Sequence, residues 1–224
     1  RDKFIDILRA NHLLIVPKRS YHITTNSHHR FRKHQNQLLD LQIQHPEQVW
    51  VSDITYIGKR DKPCYLSLVT DAYSKKIVGF NVADNLNTES SLAALKKALK
   101  QRKDALLPLI HHSDRGLQYC ANEYQNLLKK SNIKCSMTQN SDPYENAVAE
   151  RINGILKQEF GIDKFHNELS ITKLLVKNAI EIYNQKRPHY SNFLLTPNQM
   201  HQQNKIKMRT YKTKNSYKNV LATV

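Results

Sequence analysis

Residues 48–82 read QVWVSDITYIGKRDKPCYLSLVTDAYSKKIVGFNV, and this stretch decides the fold. Three runs inside it are rich in β-branched and aromatic residues: 48–57 (QVWVSDITYI), 64–71 (CYLSLVTD) and 76–82 (KIVGFNV). Runs of that kind, bounded by turn residues, predict strands. Asp61-Lys62-Pro63 and Ala72-Tyr73-Ser74-Lys75 leave room only for short turns. Short turns join antiparallel neighbours, so the three strands form a meander.

Downstream the period changes. Residues 88–100 (TESSLAALKKALK) predict a helix with Thr88 as its N-cap. A fourth strand is expected at 106–113, a helix at 121–131, a fifth strand at 133–137, and helices at 145–160 and 170–186. The order β-β-β-α-β-α-β-α fits an α/β fold, a five-stranded mixed sheet flanked by helices. Upstream, 2–14 predict a short helix, and 17–48 lose periodicity. There Arg30, Arg32 and Lys33 lie near Tyr21 and Phe31. Interleaved basic and aromatic residues suit phosphate contact and base stacking, and an ordinary polar linker has a similar composition. The expected division is 1–47, a helix fragment and basic arm; 48–165, the core; and 166–224, a C-terminal helix and basic tail. Residues 17–35 and 202–218 are expected to be extended or mobile until they meet DNA or a partner protomer.

The 224 residues carry 35 Lys plus Arg against 19 Asp plus Glu, a formal net charge of +16. That excess suggests a polyanionic partner, because cations that neutralise phosphates release counterions. No apolar run approaches the roughly 18 residues of a membrane span, so no membrane partner is expected. Cys64, Cys120 and Cys135 show no CxxC spacing, and reduced thiols in a cytosolic setting are the simpler reading. No Walker loop or GxGxxG is present, which leaves nucleotide-cofactor chemistry unsupported. The chain begins without Met and is expected to be part of a longer protein.

Three acids stand where a chemical centre needs them. Asp53 interrupts an apolar strand between Val51 and Ile54. Asp114 directly follows the fourth strand, with Gly116 permitting a turn, and strand ends are common site locations. Glu150 lies on the 145–160 helix. With Val148 set at 0° and about 100° per residue, Ile152, Leu156, Phe160 and Ile155 form one stripe, and Glu150, Gly154 and Lys157 fall opposite, near 200°. Carboxylates converging from separate elements suit Mg²⁺, a hard cation that prefers oxygen ligands. Two such ions activate an attacking oxygen and stabilise a leaving one in phosphodiester chemistry.

Taken together, WVSDITY, YLSLVTDAYSKKIVGF, HHSDRGLQY and ENAVAERINGILKQE resemble the catalytic core of insertion-sequence transposases of the IS-three family. The interval between Asp114 and Glu150 also resembles that of the wider retroviral-integrase group, and the later YNQKRPHYSNFLLTP resembles the segment that trails the core. The resemblance covers about residues 48–200. It implies an RNase H-like fold and a catalytic, metal-binding trio at Asp53, Asp114 and Glu150, served by Mg²⁺ with Mn²⁺ as a substitute. It implies DNA cleavage at element ends, then attack of a 3′-hydroxyl on target DNA. It also implies a homo-oligomer on DNA, working in the bacterial cytoplasm with the nucleoid. Only a fragment of the family's helix-turn-helix region fits in 1–14. The zinc module of retroviral integrases has no counterpart, since His28 and His29 lack a nearby cysteine pair.

Other residues are weaker candidates. His111 and His112 occupy consecutive strand positions and so face opposite ways. Asp71 reads as a turn residue, and Asp142 and Glu145 rival Glu150 as third ligand. Tyr119 and Gln118 are candidates to shape the pocket, and Cys120 reads as a buried small residue. Lys157, Arg151 and Arg187 join Arg30, Arg32 and Lys33 as candidate DNA contacts, with ordinary surface charge as the alternative. Two other functions use the same residues: an RNase H-type nuclease that hydrolyses without joining, and an inactive DNA-binding remnant.

Overall fold

Strand-forming residues at 49–59 and 62–71 zip into a long hairpin. β1 (Val49–Lys59) and β2 (Lys62–Asp71) pair antiparallel from Trp50↔Asp71 to Lys59↔Lys62. The computed structural model describes residues 2–11, 30–59, 62–139, 146–164 and 168–203. Tyr21, His28, His29, Asp61, Asp142, Glu145 and the tail from 204 lie outside the described residues.

β3 (Ile77–Ala83) pairs antiparallel with β2, with an irregular register between Val69 and Thr70. The chain then crosses through α2 (Thr88–Gln101), and β4 (Leu109–Ser113) returns parallel to β1. Two helices, α3 (Leu117–Cys120) and α4 (Asn122–Lys130), carry it to β5 (Ile133–Met137), parallel to β4. The sheet order is β3-β2-β1-β4-β5, the five-stranded mixed sheet that the pattern of runs predicts.

Alternation along β1 sends side chains to two cores. On one face Trp50, Ile54, Val69 and Val78 meet Leu95 and Ala98 of α2 and Tyr124 and Leu128 of α4. On the other, Ile57, Leu66 and Leu68 meet Ile152, Ile155 and Leu156 of α5 (Ala147–Gln158) and Val176, Ile180 and Tyr183 of α6 (Leu169–Lys186). Asp53 shares the odd-numbered face with Ile57, the α5 side. Close packing of α2 depends on Gly79: a Cβ there would stand 2.2 Å from Ala94 O and 2.8 Å from Ala98 N.

Several boundaries differ from the sequence reading. Asn87, not Thr88, occupies the extended cap position of α2. The fourth strand starts at Leu109 rather than at 106, since Pro108 has no N–H for the ladder. The helix expected at 121–131 is α4, and a short helix that the sequence reading did not expect, α3, precedes it, separated at Ala121, whose ψ is 140°. Part of the aperiodic arm belongs to the sheet: Leu38, Leu41 and Ile43 pack on Val49, Val51 and Ala149, and the Gln37 N–H donates to Ser136 Oγ at 2.8 Å. An isolated helix α1 (Asp2–Ala10) buries none of its residues.

The segment after α6 is stitched to the β2–β3 turn. Asn184 on α6 accepts from Ile77 N–H at 3.0 Å and donates to Ile77 O at 2.9 Å. Asn192, in a 3₁₀ turn (Tyr190–Asn192), donates to Ser74 O at 2.6 Å. A short helix α7 (Pro197–His201) is held by a capping box of Thr196 and Gln199 and delivers His201 to Ser74 Oγ at 2.9 Å.

Candidate active site

The parallel β1–β4 pairing sets the first two acids side by side. Val51 lies opposite His112, so two residues further along each chain bring Asp53 next to Asp114. Asp114 stands where the chain leaves the sheet, and its Oδ1 accepts from the Gly116 N–H at 3.0 Å. A Cβ on Gly116 would sit 2.9 Å from that oxygen, so glycine leaves room beside the carboxylate.

The third acid arrives on α5, which is pinned over β1 by two asparagines two turns apart. Asn146 donates to Ser52 O at 3.3 Å, and Asn153 donates to Asp53 Oδ2 at 2.7 Å. Asp53 Oδ1 accepts from the Ile54 N–H at 2.9 Å. Glu150 is exposed on the side of α5 away from its apolar stripe, as the helical phase predicts.

Electrostatics record the convergence. The Asp53 carboxyl is pushed up to about 7, by burial first and then by the charge of Asp114. The Ile54 and Asn153 hydrogen bonds oppose the shift, and Glu150 adds to it. Thus the three acids share one field. They do not close into a cage: among the described residues no three His, Cys, Asp or Glu side chains form a group placed to hold a metal ion. Oxygens of Asp53 and Asp114 are turned to backbone or amide donors instead.

The surroundings are apolar and aromatic. Tyr119 is buried beside Asp53 and Asp114, its hydroxyl has no hydrogen-bond partner, and burial pushes its pKa well up, with Tyr124 and the two acids adding to the shift. Gln118 is buried and donates to Leu86 O at 2.8 Å. Cys120 is buried against Met137. His111 and His112 face opposite ways. His111 Nε2 lies 2.8 Å from Ser52 Oγ and 2.9 Å from Tyr124 OH, and His112 Nδ1 lies 2.8 Å from Ser136 Oγ. Burial, with His112 second, lowers the His111 pKa to about 3, so its ring is a neutral core group. Asp71 holds the β2–β3 turn, accepting from Glu47 N–H and from Ser74 N–H and Oγ–H. Burial raises its pKa, but His201 and Ser74 outweigh burial and leave it below the usual range.

The cations divide. Lys157, half-buried on the Glu150 side of α5, lies 4.3 Å from the Tyr56 ring centroid; burial lowers its pKa while Asp163 and Asp53 oppose the shift. Arg151 is exposed on α5. Arg187 is committed to Glu159 through two 2.6 Å hydrogen bonds. Arg30, Arg32 and Lys33 are exposed on the arm. Asn146 and Asn153 are the functional residues that sequence reasoning missed. Asn153 falls near 140°, at the edge of the apolar stripe, where a buried amide is out of pattern.

Comparison with known proteins follows the same geometry. Residues 43–143 and 131–197 each match an integrase core domain profile. The chain is 34% identical over 191 residues to the insertion element IS600 uncharacterized 31 kDa protein of Shigella sonnei, covering 84% of this chain and 70% of that one. It is 34% identical to the transposase InsF for insertion sequence IS3fB of Escherichia coli, covering 71% of this chain and 55% of the relative. Among solved structures, the integrase catalytic core domain of HTLV-2, determined in complex with magnesium, superposes with a TM-score of 0.55 at 20% identity, over 70% of this chain and 97% of that one. That likeness identifies the fold as RNase H-like. Against several curated relatives the chain spans only about half their length.

Proposed function

The chain belongs to the integrase-core family of insertion-sequence transposases, and from that premise we propose that it cleaves DNA at element ends and transfers the resulting 3′-hydroxyl to target DNA. The observation that carries this reading is the elevated Asp53 carboxyl, which feels both Asp114 and Glu150. Three carboxylates, from the middle of β1, the end of β4 and helix α5, are the oxygen-donor set that a hard divalent ion prefers. Asp53, Asp114 and Glu150 would hold Mg²⁺, or Mn²⁺ in its place. When bound, the metal supplies charge stabilisation to the phosphodiester and lowers the pKa of the attacking oxygen.

The chain's own residues set the conditions. Asn153 and the Ile54 N–H orient the Asp53 carboxylate. Gly116 fixes Asp114 while leaving its flank open. Tyr119 keeps the inner wall dry, which strengthens charge interactions there. Lys157, Arg151 and the arm cations Arg30, Arg32 and Lys33 contact phosphates. Arg187 steadies Glu159. Residues 48–165 carry the chemistry, with 1–47 and 166–224 as extensions. The working form is a homo-oligomer on paired element ends, in the bacterial cytoplasm at the nucleoid. The test is Asp114→Asn, close in size but neutral. It should abolish cleavage of end-bearing duplexes while DNA affinity stays nearly intact. Cleavage at near wild-type rate would overturn the assignment.

A further inference from the structure

α5 has a second flank, turned away from Asp53. A groove of about 730 Å³ runs there, between α5 and the segment that follows α6. Val148, over the buried Ile152 and Ile155, lines it on the α5 side, and Leu194 lines it from the segment after α6. Three cations also line it: Lys75 from the β2–β3 turn, Arg151 and Arg187. Arg187 is paired with Glu159, and Lys75 donates to Ala72 O. Arg151 makes no ion pair among the described residues, although its charge reaches Glu159 and His189.

The outer wall is built with its aromatic and apolar groups facing solvent. Tyr190 is 90% exposed, Leu194 60% and Phe193 45%. The wall is nevertheless held firmly. Asn192 is fully buried and bonded to Ser74 O, and the His189 and Leu194 N–H groups close the turn onto Leu195 O and His189 O. Phe193 and Leu194 are consecutive left-handed residues, with φ of 56° and 64°, a costly conformation for side chains of this size. Backbone strain is thus spent on holding apolar groups out of the core, at the mouth of a cationic groove.

On α5, Glu150 falls near 200° and Arg151 near 300°, with Asn153 near 140°, at about 100° per residue. Glu150 therefore stands on the ridge between the acid centre and the groove. A strand passing the acids and crossing that ridge meets Arg151 next.

We propose that the groove holds an unpaired nucleotide of the DNA strand adjoining the bond attacked at the acid centre. Its base stacks on Tyr190 and against Leu194, and its phosphate pairs with Arg151 and Lys75. The inference rests on the DNA-processing reading above and deepens it. Chemistry selects this occupant. A stacked duplex offers phosphates and has no use for an apolar floor, whereas an unstacked nucleotide needs cations and an apolar or aromatic platform together. The volume lies within the range of small-ligand sites, roughly 300–1,000 Å³.

The experiment uses the full chain in EDTA, so that no strand is cut. Binding is compared for a blunt duplex and for the same duplex with a single-stranded overhang carrying 2-aminopurine. Wild type should bind the overhang form more tightly and change the probe's fluorescence. Tyr190→Ala should weaken overhang binding by about tenfold, the scale of one base stacked on an aromatic ring, and abolish the probe signal. Tyr190→Phe should restore both, and blunt-duplex affinity should barely move. Equal loss on both duplexes, or no loss, would overturn the groove proposal and leave the DNA reading standing. Failure of wild type to bind either duplex would remove both. If Tyr190→Ala instead breaks an oligomer in sedimentation and leaves overhang affinity unchanged, a second copy fills the groove and the proposal is wrong.

Discussion

Asp53→Asn should stabilise the metal-free protein while removing its proposed activity. Folded Asp53 keeps its proton up to about pH 7, whereas the ordinary value is 3.8. Folding therefore takes up a proton between those values, and stability falls as pH rises through that window. About three pH units at 1.36 kcal/mol each set a ceiling of roughly 4 kcal/mol. The carboxylate is only partly buried, so screening reduces the effect to about 1–3 kcal/mol. The substituted amide has a partner ready: Asn153 Oδ1 is buried without a hydrogen bond, and a flip of that amide accepts the new N–H. Thermal unfolding in EDTA at pH 4 to 8.5 reads the difference. The variant's advantage should be small at pH 4, grow to pH 7 and level off, reaching roughly 3–10 °C in Tm for a chain of this size. Parallel Tm curves across the range would refute the shared field of the three acids.

Two further outcomes concern the frame around the site. Gly79→Ala places a methyl against Ala94 O and Ala98 N, and urea unfolding should show a loss of about 1–3 kcal/mol as α2 is pushed off the sheet. Asn184→Ala leaves both backbone groups of Ile77 without their partner; a loss of about 2–4 kcal/mol is expected, with amide exchange at Ile77 accelerated.

Much of the fold was legible because its strands are rich in β-branched residues and separated by turn chemistry. Ile133–Met137 coincides with the run read as the fifth strand, and the Glu150 phase follows from apolar spacing alone. What escaped was tertiary. The arm's Leu38 and Leu41 look aperiodic because they pack singly on the sheet rather than along an element of their own. The bonds from Asn146 and Asn153 to β1 span about a hundred residues of chain, and no local pattern encodes such a pairing. Arg187 reads as a loose cation in sequence, yet Glu159, just past the end of α5, claims its guanidinium.

The most direct test is strand joining. A duplex bearing the element end, labelled at its 3′-hydroxyl strand, is incubated with a second duplex, Mg²⁺ or Mn²⁺ and the full chain. Label should move into the second duplex with wild type, and should fail to move with Asp53→Asn, Asp114→Asn or Glu150→Gln. Label released only as shortened strands, with no joined product, would mean a hydrolytic nuclease; joining that survives loss of any one of the three acids would contradict the site itself.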